Sequence, residues 1–168
     1  MRMAEVLGAY RDRLFMIEQP FPVEMPMDQD GGPSAEEWKN VRESLGWKIY
    51  ADESFRTAAD VAPLRPYVHG VNIKMEKVGG YRQALRAAFQ AHKMGMDIWL
   101  GCMVGSALNS NLTAQLAPLA VGSDLDGGLL VSEDSQLFTG GFAYGSSGEI
   151  ILPQRGLMLG MKLKPAGV

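Results

Sequence analysis

Short apolar runs alternate with longer amphipathic stretches along this chain. Leu14-Phe15-Met16-Ile17 is a four-residue apolar run cut off by Glu18-Gln19-Pro20. Unbroken apolarity over so short a span, closed by a proline, predicts a strand buried on both faces. Ser34-Ala35-Glu36-Glu37 predicts a helix start, with Ser34 as N-cap, Glu37 at the capping-box position and Pro33 ahead of them. Trp38, Val41 and Leu45 give that helix an apolar stripe. Lys48–Ala51 reads as a second strand ending at Asp52-Glu53-Ser54. Residues 57–64 read as a short helix capped by Thr57, with Asp60 in the capping-box region. Residues 71–74 form the third strand. Gly79-Gly80 leads into the clearest helix, Tyr81–Lys93, with Ala84, Leu85, Ala88 and Phe89 on one face and Gly95 just past its end. Residues 97–100 form the fourth strand, followed by Gly101-Cys102-Met103 and a helix over 108–119. A fifth strand at Ala120-Val121 ends at Asp124-Leu125-Asp126. Beyond it the chain turns glycine-rich, with short β-like pieces at 141–144 and 149–152.

Five βα-type units in succession imply an α/β protein with a parallel sheet and helical crossovers. Two architectures are open at this point: a doubly wound sheet, or part of a (β/α)8 TIM-like barrel. The strand ends favour the barrel. Glu18, Asp52, Lys74 and Asp124 with Asp126 each close a strand, and a barrel gathers such ends at one mouth. No Gly-x-Gly-x-x-Gly turn follows any strand, so a dinucleotide fold has no support. The expectation is a partial barrel of about five βα units over residues 1–128 and a short β-rich segment over 129–168. A complete barrel takes about 200 residues or more, so the chain is expected to be a piece whose first three units lie upstream of Met1.

Composition narrows the chemistry. Sixteen basic side chains against 19 acidic leave a net charge of −3, with no basic stripe to displace counterions, so a nucleic-acid partner is not expected. The single cysteine, Cys102, rules out a disulfide framework, and two distant histidines, His69 and His92, do not suggest a metal site. No apolar run approaches about 18 residues and the N-terminus lacks a signal-peptide core, so neither a membrane span nor export is expected, and the location expected is cytoplasmic.

Glu18 and Asp52, each directly after an apolar run on neighbouring strands, are the oxygen donors that a hard cation such as Mg2+ prefers. Strand alternation turns Glu53 away from Asp52, as a residue supporting the site from behind. Lys74, near a cation and partly desolvated, is expected to have a lowered pKa and to act as a base. Lys77, past the strand, reads as a loop charge. Asp124 and Asp126 lie two apart and face one side in an extended segment. They call for a second metal or a bound ammonium group, unless Asp126-Gly127-Gly128 is merely a turn. Gly79-Gly80 fits either a phosphate cradle or a simple turn.

Taken in order, Ile17-Glu18-Gln19-Pro20, Ala51-Asp52-Glu53-Ser54, Asn72-Ile73-Lys74 with Lys77-Val78-Gly79-Gly80, and Cys102-Met103-Val104-Gly105-Ser106 resemble successive barrel motifs of the enolase superfamily, muconate-lactonizing subgroup. Asp124-Leu125-Asp126 narrows the resemblance to the dipeptide epimerases. The resemblance implies a modified (β/α)8 barrel with a separate N-terminal capping domain, toward which the last segment returns. It implies Mg2+ as cofactor with Glu18 and Asp52 as ligands, and Lys74 as the acid/base on one face of the substrate. Asp124 and Asp126 would hold the α-ammonium group of a dipeptide, and Met103 and Ser106 would contact the substrate. A homo-oligomer is expected of the full-length protein. The capping domain, the second-strand Lys-x-Lys that supplies the opposing acid/base, and the third-strand Asp ligand are absent from the sequence, and the loop at 24–33 is long and acidic. Two functions follow as alternatives: proton abstraction and return α to a carboxylate, with an o-succinylbenzoate-synthase-like, cycloisomerase or dehydratase reaction on the same scaffold as a variant; or a non-catalytic remnant that self-associates through open sheet edges.

Overall fold

A computed structural model describes residues 2–23, 33–132, 137–153 and 160–165. The chain begins with helix α1 (Arg2–Gly8), then β1 (Met16–Glu18), α2 (Pro33–Ser44), β2 (Lys48–Ala51), α3 (Val61–Leu64), β3 (Gly70–Lys74), α4 (Met75–Val78), α5 (Tyr81–Lys93), β4 (Asp97–Gly101), α6 (Ala107–Ala114) and β5 (Gly122–Ser123). The tail adds β6 (Phe138–Thr139), β7 (Ala143–Tyr144), β8 (Ile150–Ile151) and β9 (Lys162–Leu163).

The five main strands are parallel and pair in chain order, β1-β2-β3-β4-β5. A doubly wound sheet reverses its order at a switch point; this one never does. The architecture is a partial (β/α)8 barrel. The tail forms two antiparallel ladders, β6 with β9 and β7 with β8, and docks on α6, where Asn111 Oδ1 accepts the Phe142 N–H at 2.7 Å. No helix among the described residues is long and apolar enough to cross a membrane.

Strand alternation divides the sheet into two faces. Ile49, Ala51, Val71, Ile73, Ile98 and Leu100 join the apolar cluster that also holds Ala84, Ala87, Ala88 and Ala91 of α5. Four alanines on one helix stripe let α5 lie close on the sheet. The alternate positions, Tyr50, Asn72, Lys74 and Trp99, belong to the opposite, barrel-side face. Thr57 and Asp60 form the capping box expected of them.

Several expectations are corrected. The first strand is displaced to Met16–Glu18 and is only half-buried, with Phe15 53% exposed. Among the described residues it pairs with β2 alone. The helix after it starts at Pro33, one residue before the expected cap. On α5 the buried stripe runs through Ala87 and Ala91, and Phe89 points to solvent. The helix expected over 108–119 stops at Ala114 and resumes as a 3-10 turn at Ala117–Leu119, because Pro118 cannot continue the α-helical ladder. The fifth strand moves to Gly122–Ser123. Gly79 (φ 90°) closes α4 in the left-handed region and Gly80 (φ 95°) opens α5, which accounts for the glycine pair as a turn. The loop over 24–32 lies outside the described residues.

Candidate active site

Glu18 ends β1, Asp52 follows β2 directly, and Lys74 ends β3. Parallel strands in sequential order put all three at one strand-end rim. Together with Gln19, Phe21 and Glu53 they line a cleft of about 670 Å³.

Asp52 is the hub. Lys74 Nζ donates to its Oδ2 at 2.6 Å. Lys77 Nζ donates to its Oδ1 and, at 2.6 Å, to its backbone carbonyl, and reaches the Asn72 carbonyl at 3.1 Å. The Asp52, Lys77 and Lys74 side chains are 7%, 11% and 17% exposed, so the three charges meet out of water. Burial pushes the Asp52 carboxyl up, but the two ammonium groups outweigh it and hold the carboxyl below its usual range. Lys74 departs from expectation. Burial pushes its ammonium down, but the hydrogen bond and charge of Asp52 more than offset it, and the pKa is raised.

Lys77 is corrected from a loop charge to a buried member of the site. The sequence signal was its spacing. Helix α4 starts immediately after β3, and residues three apart on a helical turn share a side, so Lys74 and Lys77 converge on one carboxylate. In Lys77 burial dominates and pushes the ammonium down.

Gln19, which no charge or periodicity singles out in the sequence, joins two strand ends. Its Oε1 accepts the N–H groups of Asp52 and Ser54 at 3.0 and 3.2 Å, and its Nε2 donates to the Phe21 carbonyl and Ser54 Oγ, both at 2.8 Å. Its φ of 40° is the only positive value outside glycine among the described residues. Strained backbone held by surrounding contacts is typical of functional loops. Beside it, Glu18 Oε1 accepts from Asn72 Nδ2 at 2.6 Å. Burial, reinforced by the negative charge of Asp52, raises the Glu18 pKa. Glu53 is exposed and lines the same cleft as buried Asp52.

Asp124 and Asp126 flank buried Leu125 and are both exposed. Partial burial, then the neighbouring Asp126 charge, pushes the Asp124 carboxyl up. The turn that carries the pair is tied down from two directions. Cys102 Sγ accepts the Gly127 N–H at 3.2 Å and donates to the Asp124 carbonyl at 3.6 Å, while Tyr144 Oη donates to the Leu125 carbonyl at 2.5 Å. Met103 is 47% exposed, with its N–H donating to Glu76 Oε1 at 3.1 Å. Ser106 Oγ caps α6 by accepting the Leu108 N–H. The structure thus joins Glu18, Asp52, Lys74 and Lys77 through direct contacts and the shared cleft. It makes Asp124 and Asp126 a separate pair further along the strand ends. Lys162-Leu163-Lys164 does have the Lys-x-Lys pattern, but it lies at β9, and Lys164 borders a different cavity, between α6 and the tail.

Among the described residues no group of three or more His, Cys, Asp or Glu side chains is placed to hold a metal ion. The donor chemistry present nevertheless suits a cation. Glu18 and Asp52 are two carboxylates on one cleft, near enough for the Asp52 charge to help raise the Glu18 pKa, and the buried Asn72 Oδ1 has no hydrogen-bond partner among the described residues.

Residues 1–164 match the family described as Enolase C-terminal domain-like. The chain belongs to that family. Enolase-superfamily proteins with named activities are among its relatives. The L-Ala-D/L-Glu epimerase of Bacteroides thetaiotaomicron is 36% identical over 121 residues, which is 72% of this chain and 29% of the epimerase. The N-acetyl-D-glutamate racemase of a Pseudoalteromonas species is 40% identical over 119 residues, 71% of this chain and 34% of the racemase. Among solved structures, the dipeptide epimerase of Methylococcus capsulatus, complexed with Mg and the dipeptide L-Arg-D-Lys, superposes with a TM-score of 0.78 at 26% identity, covering 95% of this chain and 43% of that one. The chain spans about a third of the length of the curated relatives it matches.

Proposed function

We propose that this chain supplies one half of the active site of a Mg2+-dependent dipeptide epimerase. The observation that carries the reading is the contact between Lys74 and Asp52 at adjacent strand ends, with Glu18 on the same cleft, in a family whose relatives include epimerases and racemases. Glu18 and Asp52 would hold the cation, with Glu53 supporting the site from the rim. Bound Mg2+ supplies positive charge for the substrate carboxylate, whose negative charge grows as the α-proton leaves. Lys74 Nζ takes or returns that proton on one face of the α-carbon, and its contact with Asp52 fixes the direction of approach. Asp124 and Asp126, exposed and mutually repelling, favour an ammonium ion between them, so the substrate's free amine docks there. Met103 and Ser106 border that end of the site.

Epimerisation needs a second acid/base on the opposite face, and the reading assigns it, together with a third metal ligand, to residues outside this sequence. The 168-residue chain alone is therefore expected to show no measurable epimerisation of L-Ala-L-Glu. The direct test is a chimera in which this chain replaces the matching segment of the B. thetaiotaomicron epimerase, assayed by NMR for deuterium uptake at the dipeptide α-carbon in D2O. Uptake is expected, with a loss of about 10²–10⁴-fold in Lys74→Ala. A folded chimera without uptake refutes the reading, and so does robust turnover by the isolated chain. The kinship with an N-acetyl-D-glutamate racemase favours a second reading, an N-acyl substrate with no amine to clamp. The pair of acidic residues speaks against it.

A further inference from the structure

We infer that Asn72 is a positioning residue, whose amide fixes the Glu18 carboxylate for a divalent cation shared with Asp52. The inference rests on the metal reading above. Asn72 lies two residues before Lys74 on β3, so strand alternation puts both on the barrel-side face. Its Nδ2 meets Glu18 Oε1 at 2.6 Å, although Glu18 stands on β1 and the whole of β2 intervenes in the sheet order. The hydrogen bond therefore spans the inside of the curved sheet and locks a long, flexible side chain from two strands away. With Oε1 committed, the carboxylate keeps one oxygen for a ligand.

The other end of the amide indicates what it is for. Asn72 is 3% exposed, and its Oδ1 is buried without a hydrogen-bond partner among the described residues. A side chain placed there for packing would be apolar, because a buried orphan acceptor is unfavourable. This amide is instead held where its donor reaches Glu18. Gly101, paired with Lys74 in the neighbouring strand, makes the space: a Cβ there would fall 2.6 Å from Asn72 Oδ1, 2.9 Å from its Nδ2 and 2.9 Å from Lys74 Cε. A side chain at 101 would displace the amide and the lysine stem together.

The experiment titrates the chimera described above, which also carries the remaining metal ligand, with Mn2+ as the probe, read by water-proton relaxation, with a thermal melt of each variant as the folding check. Wild type should bind and Asp52→Asn should not. Asn72→Leu, close in shape but unable to donate, should bind about 10–100-fold more weakly, the usual effect of losing a group that orients a metal ligand. Gly101→Ala should weaken binding in the same direction, and it carries the test if Asn72→Leu does not fold. Folded variants at Asn72 and Gly101 that bind like wild type overturn the positioning role and leave the metal reading standing. Wild type binding no better than Asp52→Asn overturns both.

Discussion

The Gln19 side-chain oxygen accepts the backbone N–H of Asp52 at 3.0 Å, so the end of β1 sets the position of the first residue beyond β2. The same amide also holds Ser54 and Phe21. Replacing Gln19 by Leu should remove all four hydrogen bonds and leave two strand-end N–H groups to find new partners. At about 0.5–1.5 kcal/mol for each net hydrogen bond, with partial rescue by water, the loss should come to about 1–3 kcal/mol. Urea denaturation checks it: the midpoint should fall with the slope unchanged.

Asp52 sits between two ammonium groups, and its removal should be felt more than that of either lysine. Asp52→Asn leaves two largely buried positive charges without a counter-charge, a change that costs about 3–5 kcal/mol. Lys77→Met should cost less, because Lys74 still pairs with the carboxylate. In the double variant the two losses should fall short of additive, since both act through one contact. Thermal melts of the four proteins in a double-mutant cycle measure this.

His69 gives a pH dependence away from the candidate site. Its Nδ1 accepts the Ile49 N–H at 3.0 Å, a role open only to the neutral ring. Burial first, then the Arg42 and Lys48 charges, holds its pKa below 6.5, against the opposing pull of Asp97. The unfolded chain therefore binds the proton more readily than the folded one. This contribution is fully present above pH 6.5 and is lost as pH falls from there through the folded pKa. Melting temperatures from pH 5 to 7.5 should decline toward acid, and a His69→Asn variant should lose that part of the decline.

In the chimera described above, Asp126→Asn should erase the preference for a free amine. Wild type should process a dipeptide far better than its N-acetylated form. The variant should lose about 10–150-fold in dipeptide affinity, the value of a hydrogen bond to a charged group. Its Mn2+ affinity should not change, because Glu18 and Asp52 stand on other strands. Equal handling of both substrates by wild type sinks the ammonium clamp.

Much of this was legible in the residues. The strand ends announced Glu18, Asp52 and Lys74 because a charged residue directly after a buried apolar run has few places to point. Tyr81–Lys93 was legible to the residue, since its periodicity and both flanking glycines agreed. What stayed hidden depended on packing between distant segments. Lys77 looks solvated until α4 is seen to start at once after β3. Gln19 carries no charge and no periodic signal, and its partners other than Phe21 are 33 and 35 residues away. Phe89 fitted the apolar stripe by spacing, but the alanine face lies closer to the sheet.

The strand order has a consequence for synthesis on the ribosome. No two adjacent strands of the main sheet are paired across more than the 32 residues from Met16 to Lys48. Each of β2 to β5, as it emerges, therefore finds its docking edge already laid down by the strand before it. Loop closure stays within this span at every step of the main sheet, which favours stepwise accretion from the N-terminal side. At every stage the exposed growing edge is the one the next strand will cover.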